Sequence, residues 1–292
     1  LDPSSIFDME YWSLEQAKLD KGTPRILEGK IALVTGGGGA IAMGICRKLL
    51  EAGAQVFLSD VDEKRLQIVH SHLAAQFDAM VRPLTMDVAD AASVRQGYAK
   101  IILEAGGLDI LVPNAGIAHV APLEDLDSAT FQKVLNVNLC GVFEVIKAAI
   151  PIFRRQGTGA NIIVNSSKNV FAPGASFGAY SASKAGAHQI GKIAALELAE
   201  LGVRVNMINA DAIFDAGQVS SGLWDVIGPD RMKSRNLDPQ GLKEYYRQRN
   251  LLKTEVLADD VGNGVVFFAS NQTPTTGATL PIDGGIMAAF PR

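Results

Sequence analysis

The chain has 292 residues, 48% hydrophobic and 20% charged, a globular balance with enough length for a sizeable core. Its formal charge is −4 with no basic run, which argues against a nucleic-acid partner. No apolar run reaches the ~18 residues of a membrane span and no signal peptide is visible, so a cytoplasmic protein without a membrane partner is expected.

Residues 1–29 stand apart as an N-terminal extension: 8–19 has the pattern of a short amphipathic helix, and a linker bearing Gly22 and Pro24 follows. From residue 30 to 292 strand and helix alternate. Strands are expected at 30–35, 55–59, 80–86, 108–112, 161–165, 204–208 and 279–282. Helices are expected at 40–52, 63–77, 91–105, 128–155, 178–200 and 259–270. Cys46 and Cys140 both fall in apolar helical stretches and read as small core residues, not as a disulfide. The four histidines lack metal-ligand spacing, so no metal is expected. Near-continuous apolar strands between amphipathic helices imply a parallel sheet covered on both faces. The fold class is therefore α/β, a doubly wound Rossmann domain of about seven strands. The insert over about 212–251 is too long for a plain connection and carries a helix of its own, which suits a lid.

Two stretches carry chemistry. The first is the turn Thr35-Gly36-Gly37-Gly38-Gly39-Ala40-Ile41-Ala42, where glycines permit close approach of a pyrophosphate to a helix N-terminus. Asp60 ends the second strand, where a carboxylate would bond a ribose 2′-hydroxyl and repel a 2′-phosphate. No Arg follows it directly, which favours NAD over NADP. The second stretch is Tyr180-Ser181-Ala182-Ser183-Lys184. Residues four apart share a helix face, so the Lys184 ammonium should lower the Tyr180 pKa and make the phenol a proton donor or acceptor.

Together these motifs resemble the short-chain dehydrogenase/reductase family over about residues 28 to 290. Asp87 and Val88 follow the third strand where that family binds adenine, and Asn114-Ala115-Gly116 follows the fourth. Asn136-Val137-Asn138-Leu139 resembles the segment with the catalytic Asn, placed at Asn138, and Asn165-Ser166-Ser167 holds the catalytic Ser, placed at Ser167. Pro281-Ile282-Asp283-Gly284-Gly285 is similar to the closing strand. The resemblance implies cofactor contacts from Gly36, Gly39, Ala40, Ile41, Asp60, Asp87, Val88, Asn114, Ala115, Gly116, Tyr180 and Lys184. It also implies that Ser167 holds the substrate oxygen, Tyr180 transfers the proton and Lys184 holds the nicotinamide ribose. Asn138 would hold a water linking Lys184 to solvent, and the assembly would be a homotetramer.

Two departures stand out: Ala40 and Ala42 replace the second and third glycines, putting methyls near the pyrophosphate path, and Asn209-Ala210-Asp211 replaces Asn-Pro-Gly. Ser167-Lys168-Asn169, Asp211, Tyr245-Tyr246-Arg247-Gln248-Arg249 and both chain ends resemble the dehydrogenase half of bifunctional class II aldolase/short-chain dehydrogenases. That implies a small hydroxyaldehyde such as lactaldehyde as substrate, Lys168, Asn169 and Asp211 as substrate contacts, and a fused aldolase domain. The alternatives are a 3-oxoacyl thioester reductase, with Arg231, Lys233, Arg235, Lys243, Arg247 and Arg249 meeting CoA phosphates, or a catalytically quiet nucleotide sensor. Those six cations read either as a site for a phosphate or carboxylate on the substrate or as a solvated helix face or subunit contact, and Trp224 and Phe171 either line the pocket or pack.

Overall fold

The structure, a computed structural model, describes residues 25–290, so the helix expected over 8–19 lies outside the described residues. The order of elements is the expected one. It begins β1 (Ile31–Thr35), α1 (Ala40–Glu51), β2 (Gln55–Asp60), α2 (Glu63–Phe77), β3 (Val81–Thr85), α3 (Ala91–Ala105) and β4 (Ile110–Val112). The second half holds α4 (Ser128–Leu135), α5 (Gly141–Gln156), β5 (Ala160–Asn165), α6 (Gly178–Leu198) and β6 (Val203–Ala210). A hairpin of β7 (Asp215–Ala216) and β8 (Val219–Ser220) follows, then α7 (Gly222–Lys233), α8 (Pro239–Arg249), α9 (Ala258–Ala269) and β9 (Thr279–Ile282).

Seven strands form one parallel sheet in the order β3-β2-β1-β4-β5-β6-β9. Strand order reverses between β1 and β4, and ligands of such sheets bind outside the strand ends at that switch point. Side chains alternate across the sheet as the pleat requires. Ala32, Val34, Val56 and Leu58 enter the core beneath α1 and α9, whereas Leu33 and Phe57 enter the core beneath α3, α5 and α6. The first core is closed by a tight helix crossing. A Cβ added at Gly44 of α1 would lie 2.3 Å from the Ala258 carbonyl carbon, and one at Gly262 of α9 would lie 2.5 Å from the Gly44 oxygen.

Helix starts differ in a way that matters for the site. Asp62, Asp90 and Asp127 cap α2, α3 and α4, each carboxylate accepting from an N–H of the first turn. By contrast, α1 and α6 begin at Gly39 and Phe177 with no side-chain cap and no acid in the first turn. Their free N–H groups face the end of the sheet where the strands stop.

Four expectations need correction. The helix expected over 128–155 is interrupted by a π turn at Asn136–Cys140, which inserts one residue and rotates Asn138 inward. The combined helix Ser128–Gln156 is also long and apolar enough to cross a membrane, although Gln132, Lys133, Asn136, Asn138, Glu144 and Lys147 interrupt its run of apolar letters. One face of it, with Val142, Val145, Ile146, Ala149 and Phe153, is packed into the second core. Cys140 is exposed, because the π turn shifts it off the buried face, while Cys46 is buried as expected. Finally, the insert holds a hairpin and two helices where one helix was foreseen.

Candidate active site

The site grows from the end of β1. Gly36 has φ +69°, and a Cβ there would lie 2.6 Å from the Ala115 Cα, so the turn rests directly on the segment after β4. Thr35 ties the two together: its Oγ1 accepts from the N–H groups of Asn114 and Ala115, both at 3.0 Å. The Asn114 amide donates back to the Thr35 carbonyl at 2.8 Å and accepts from Asn165 Nδ2 at 2.7 Å. Lys184 Nζ then donates to the Asn165 carbonyl at 2.9 Å. A continuous hydrogen-bonded chain thus runs from the glycine turn to the buried lysine.

Above it lies one cavity of about 990 Å³. Gly36, Gly39, Ala40, Ile41, Asp60, Asp87, Val88, Asn114, Ala115 and Gly116 line one part, and Ser167, Lys168, Asn169, Tyr180, Lys184 and Asp211 line the other. Every sequence-predicted site residue is therefore at this wall except Asn138, which sits behind it. Asn138 is fully buried. Its amide accepts from Ile117 N–H at 2.8 Å and donates to the Ile117 carbonyl at 2.9 Å and to Ser183 Oγ at 3.0 Å. A Cβ placed on Gly116 would lie 3.4 Å from Asn138 Oδ1 and 3.5 Å from Lys184 Nζ, so both groups face the same glycine.

The methyls of Ala40 and Ala42 do not obstruct the turn. Both residues are within 1% of complete burial and join the core beneath α1. The uncapped α1 N-terminus beside them stays open to an anion, which fits a dinucleotide pyrophosphate. At the far end Asp60 accepts from Gly38 N–H at 2.8 Å and from Asp62 N–H at 2.9 Å. Arg65 also lines this end, a residue that sequence reasoning passed over. Its Nε donates to the Gly38 carbonyl at 3.2 Å, and its two terminal nitrogens reach Asp225 at 3.1 Å and the Ser220 carbonyl at 2.9 Å in the lid. The signal available was its place in the first turn of the helix after Asp60.

Tyr180 and Lys184 share the cavity face of α6, with Nζ 5.9 Å from the phenol ring centre. The expectation that Lys184 lowers the Tyr180 pKa is not met here. Burial pushes the phenol above its ordinary value, Ser167 opposes this by hydrogen bonding, and the nearby Asp211 carboxylate adds to it. Burial also lowers Lys184 to about 8. The physical reason is that both groups are desolvated together, while the ammonium donates to the Asn165 carbonyl.

The lid closes the cavity with an aromatic cluster: Trp224 lies 4.4 Å from Phe214 and 5.0 Å from Tyr246 between ring centres. Trp224 lines the cavity, whereas Phe171 packs on His188. Of the six lid cations only Arg231 and Arg249 reach the cavity wall. Lys243 and Arg247 are paired outside it with Asp215 and Glu244. Arg249 grips Asp211 through both carboxylate oxygens, at 3.0 and 3.1 Å, so the carboxylate at the cavity wall is held in an ion pair.

Residues 30–217 match the short chain dehydrogenase family model. The chain belongs to the short-chain dehydrogenases. It is 30% identical to the uncharacterized oxidoreductase YuxG of Bacillus subtilis over its whole length, and spans 42% of that protein. It is 35% identical to 2,5-dichloro-2,5-cyclohexadiene-1,4-diol dehydrogenase LinX of Sphingobium indicum, covering 89% of this chain and 96% of LinX. Levodione reductase has a similar structure, with TM-score 0.81 at 26% identity, covering 90% of this chain and all of that one. So does a gluconate 5-dehydrogenase from Burkholderia cenocepacia in complex with NADP and tartrate, with TM-score 0.77 at 25% identity, covering 91% of this chain and 99% of that one. This dehydrogenase is thus an oxidoreductase acting on an alcohol/carbonyl pair.

Proposed function

We propose that this dehydrogenase uses NAD(H) to interconvert a small hydroxylated alcohol and its aldehyde or ketone, with lactaldehyde as the reference substrate. The observation that carries the reading is the placement of Ser167, Tyr180 and Lys184 at one end of a cavity whose other end presents Asp60. Bound nicotinamide supplies the hydride acceptor or donor. Gly36, Gly39 and the α1 N-terminus would hold its pyrophosphate, Asp60 its adenosine ribose, and Asp87 and Val88 its adenine.

Ser167 Oγ holds the substrate oxygen and stabilises charge developing on it. Tyr180, kept protonated by its buried setting, donates a proton to that oxygen in the reductive direction. Lys184, lowered to about 8, exchanges protons near neutral pH and replenishes the phenol. Asn138 fixes the π turn and the Ile117 backbone beside Lys184, and a water at Gly116 would complete a relay to solvent.

Two of the six lid cations, Lys243 and Arg247, are paired outside the cavity and so are not offered to CoA phosphates, which supports a small substrate over a 3-oxoacyl thioester. Cytoplasmic location, a homotetramer and a fused class II aldolase partner belong to the same proposal and rest on the motif resemblance. The test is NADH consumption at 340 nm with lactaldehyde, beside acetoacetyl-CoA and beside NADPH. Turnover of the thioester alone, or a preference for NADPH, would overturn the reading.

A further inference from the structure

The substrate end of the cavity carries more positive charge than the proposed alcohol/carbonyl chemistry requires. Among the described residues, the acids lining the whole cavity are Asp60, Asp87 and Asp211, and the first two lie at the cofactor end. Beside Tyr180, then, Asp211 faces Lys168, Arg231 and Arg249. Arg249 is already committed to Asp211. Lys168 is half-buried, and among the described residues its ammonium makes one hydrogen bond, to the Ala172 carbonyl at 2.9 Å. Its pKa is lowered, first by burial and then by repulsion from Arg249 and Arg231, against the pull of Asp211. Arg231 lies with its guanidinium 5.0 Å from the Phe177 ring centre and makes a long 3.4 Å contact with the Tyr246 hydroxyl. Its buried Nε has no hydrogen-bond partner among the described residues. An unpaired buried donor on a charged group is costly, and a stacked guanidinium is held in the orientation that grips an oxyanion by its fork.

We propose that Arg231 and Lys168 form an oxyanion subsite, so that the substrate is a small hydroxy compound, or its oxo form, bearing a carboxylate or a phosphate. This rests on the dehydrogenase reading above and narrows its small hydroxylated substrates to anionic ones, in preference to neutral lactaldehyde. Phe177 links the two halves of the site: its ring lies under Arg231 and 6.0 Å from the Tyr180 ring centre. Lys168 directly follows Ser167 in the chain. The subsite thus shares the cavity wall with Ser167 and Tyr180, which suits a small anionic substrate better than a long acyl chain with a distant charge.

The experiment compares matched substrates in NAD-dependent oxidation: threonate against threitol, and glycerol 3-phosphate against glycerol. Wild type should favour the anionic member of one pair at least about tenfold in kcat/KM. Which pair responds tells carboxylate from phosphate. In Arg231→Gln and in Lys168→Gln that ratio should collapse, chiefly through KM, and Arg231→Lys should retain part of it. Calorimetry with tartrate and with inorganic phosphate reads the subsite without turnover, and binding should weaken about tenfold or more in both glutamine variants. Turnover that favours the neutral members, or an anionic preference untouched by both variants, overturns the subsite and leaves the dehydrogenase reading intact. Anion binding lost in the variants but no turnover of any substrate keeps the subsite and sinks the dehydrogenase reading. Absence of both overturns both.

Discussion

Lys184→Met should make this dehydrogenase more stable while making it inactive. Burial lowers the Lys184 pKa from 10.5 to about 8, which at about 1.4 kcal/mol per pH unit is a cost of about 3 kcal/mol for keeping the ammonium in the fold at pH 7. Methionine fills nearly the same volume without charge. It forfeits the 2.9 Å hydrogen bond to the Asn165 carbonyl, worth about 1–2 kcal/mol, so a net gain of about 1–2 kcal/mol remains. For a chain of this size that raises the melting temperature by about 2–3 °C. The pH dependence has a definite sign. A lysine whose folded pKa is depressed carries its full penalty below that pKa, and the penalty fades as the pH rises towards the unfolded value. The advantage of the variant should therefore be complete at pH 7, shrink from about pH 8 upward and vanish by about pH 10.5. Thermal melts of both proteins at matched concentration across that range measure it. A variant that melts at or below wild type at pH 7, or an advantage that persists at high pH, would refute the assignment of a strained buried ammonium.

Tyr180→Phe should lower kcat by about 10²–10⁴-fold, while NADH affinity, followed by fluorescence titration, stays within about threefold. Retained turnover would remove the phenol from its proton-transfer role. Asp60→Ala removes a carboxylate bonded to the Gly38 and Asp62 N–H groups; NADH affinity should fall about tenfold and the NADPH/NADH ratio of kcat/KM should rise. An unchanged ratio would show that the ribose sits elsewhere. Gly44→Ala drives a methyl to 2.3 Å from the Ala258 backbone, so the α1–α9 crossing must open at a cost of about 1–3 kcal/mol, seen as a melting temperature lower by several degrees. Equal melting temperatures would mean that the two helices are less closely held than this spacing indicates.

Most of the framework was legible because it is local. The alternation of apolar strands with helices, the glycine run after β1, Asp60 at the end of β2 and the i, i+4 pair Tyr180/Lys184 each follow from short-range periodicity or from a chain reversal. What was not legible depends on residues far apart. Nothing near Asn138 announces a π turn, because the reason for it is the Ile117 backbone, 21 positions away. The partnership of Asp211 with Arg249 spans 38 positions, and Arg65 meets Ser220 across 155. Electrostatics failed for a related reason. The Tyr180/Lys184 spacing is visible in the letters, but the burial that raises one pKa and lowers the other belongs to the assembled cavity. The alanines in the glycine turn looked like obstacles only while the direction of their Cβ atoms was unknown.

Arg65 binds one end of the molecule's business to the other. A single guanidinium holds the Gly38 carbonyl of the nucleotide turn while clasping Ser220 and Asp225 at the root of the lid. The seating of the glycine turn and the closure of the lid are therefore not independent in this scaffold. A substitution at position 65 that loosens the glycine turn also slackens the cover over the cavity. Any lineage that drifts at this position must resettle both properties together.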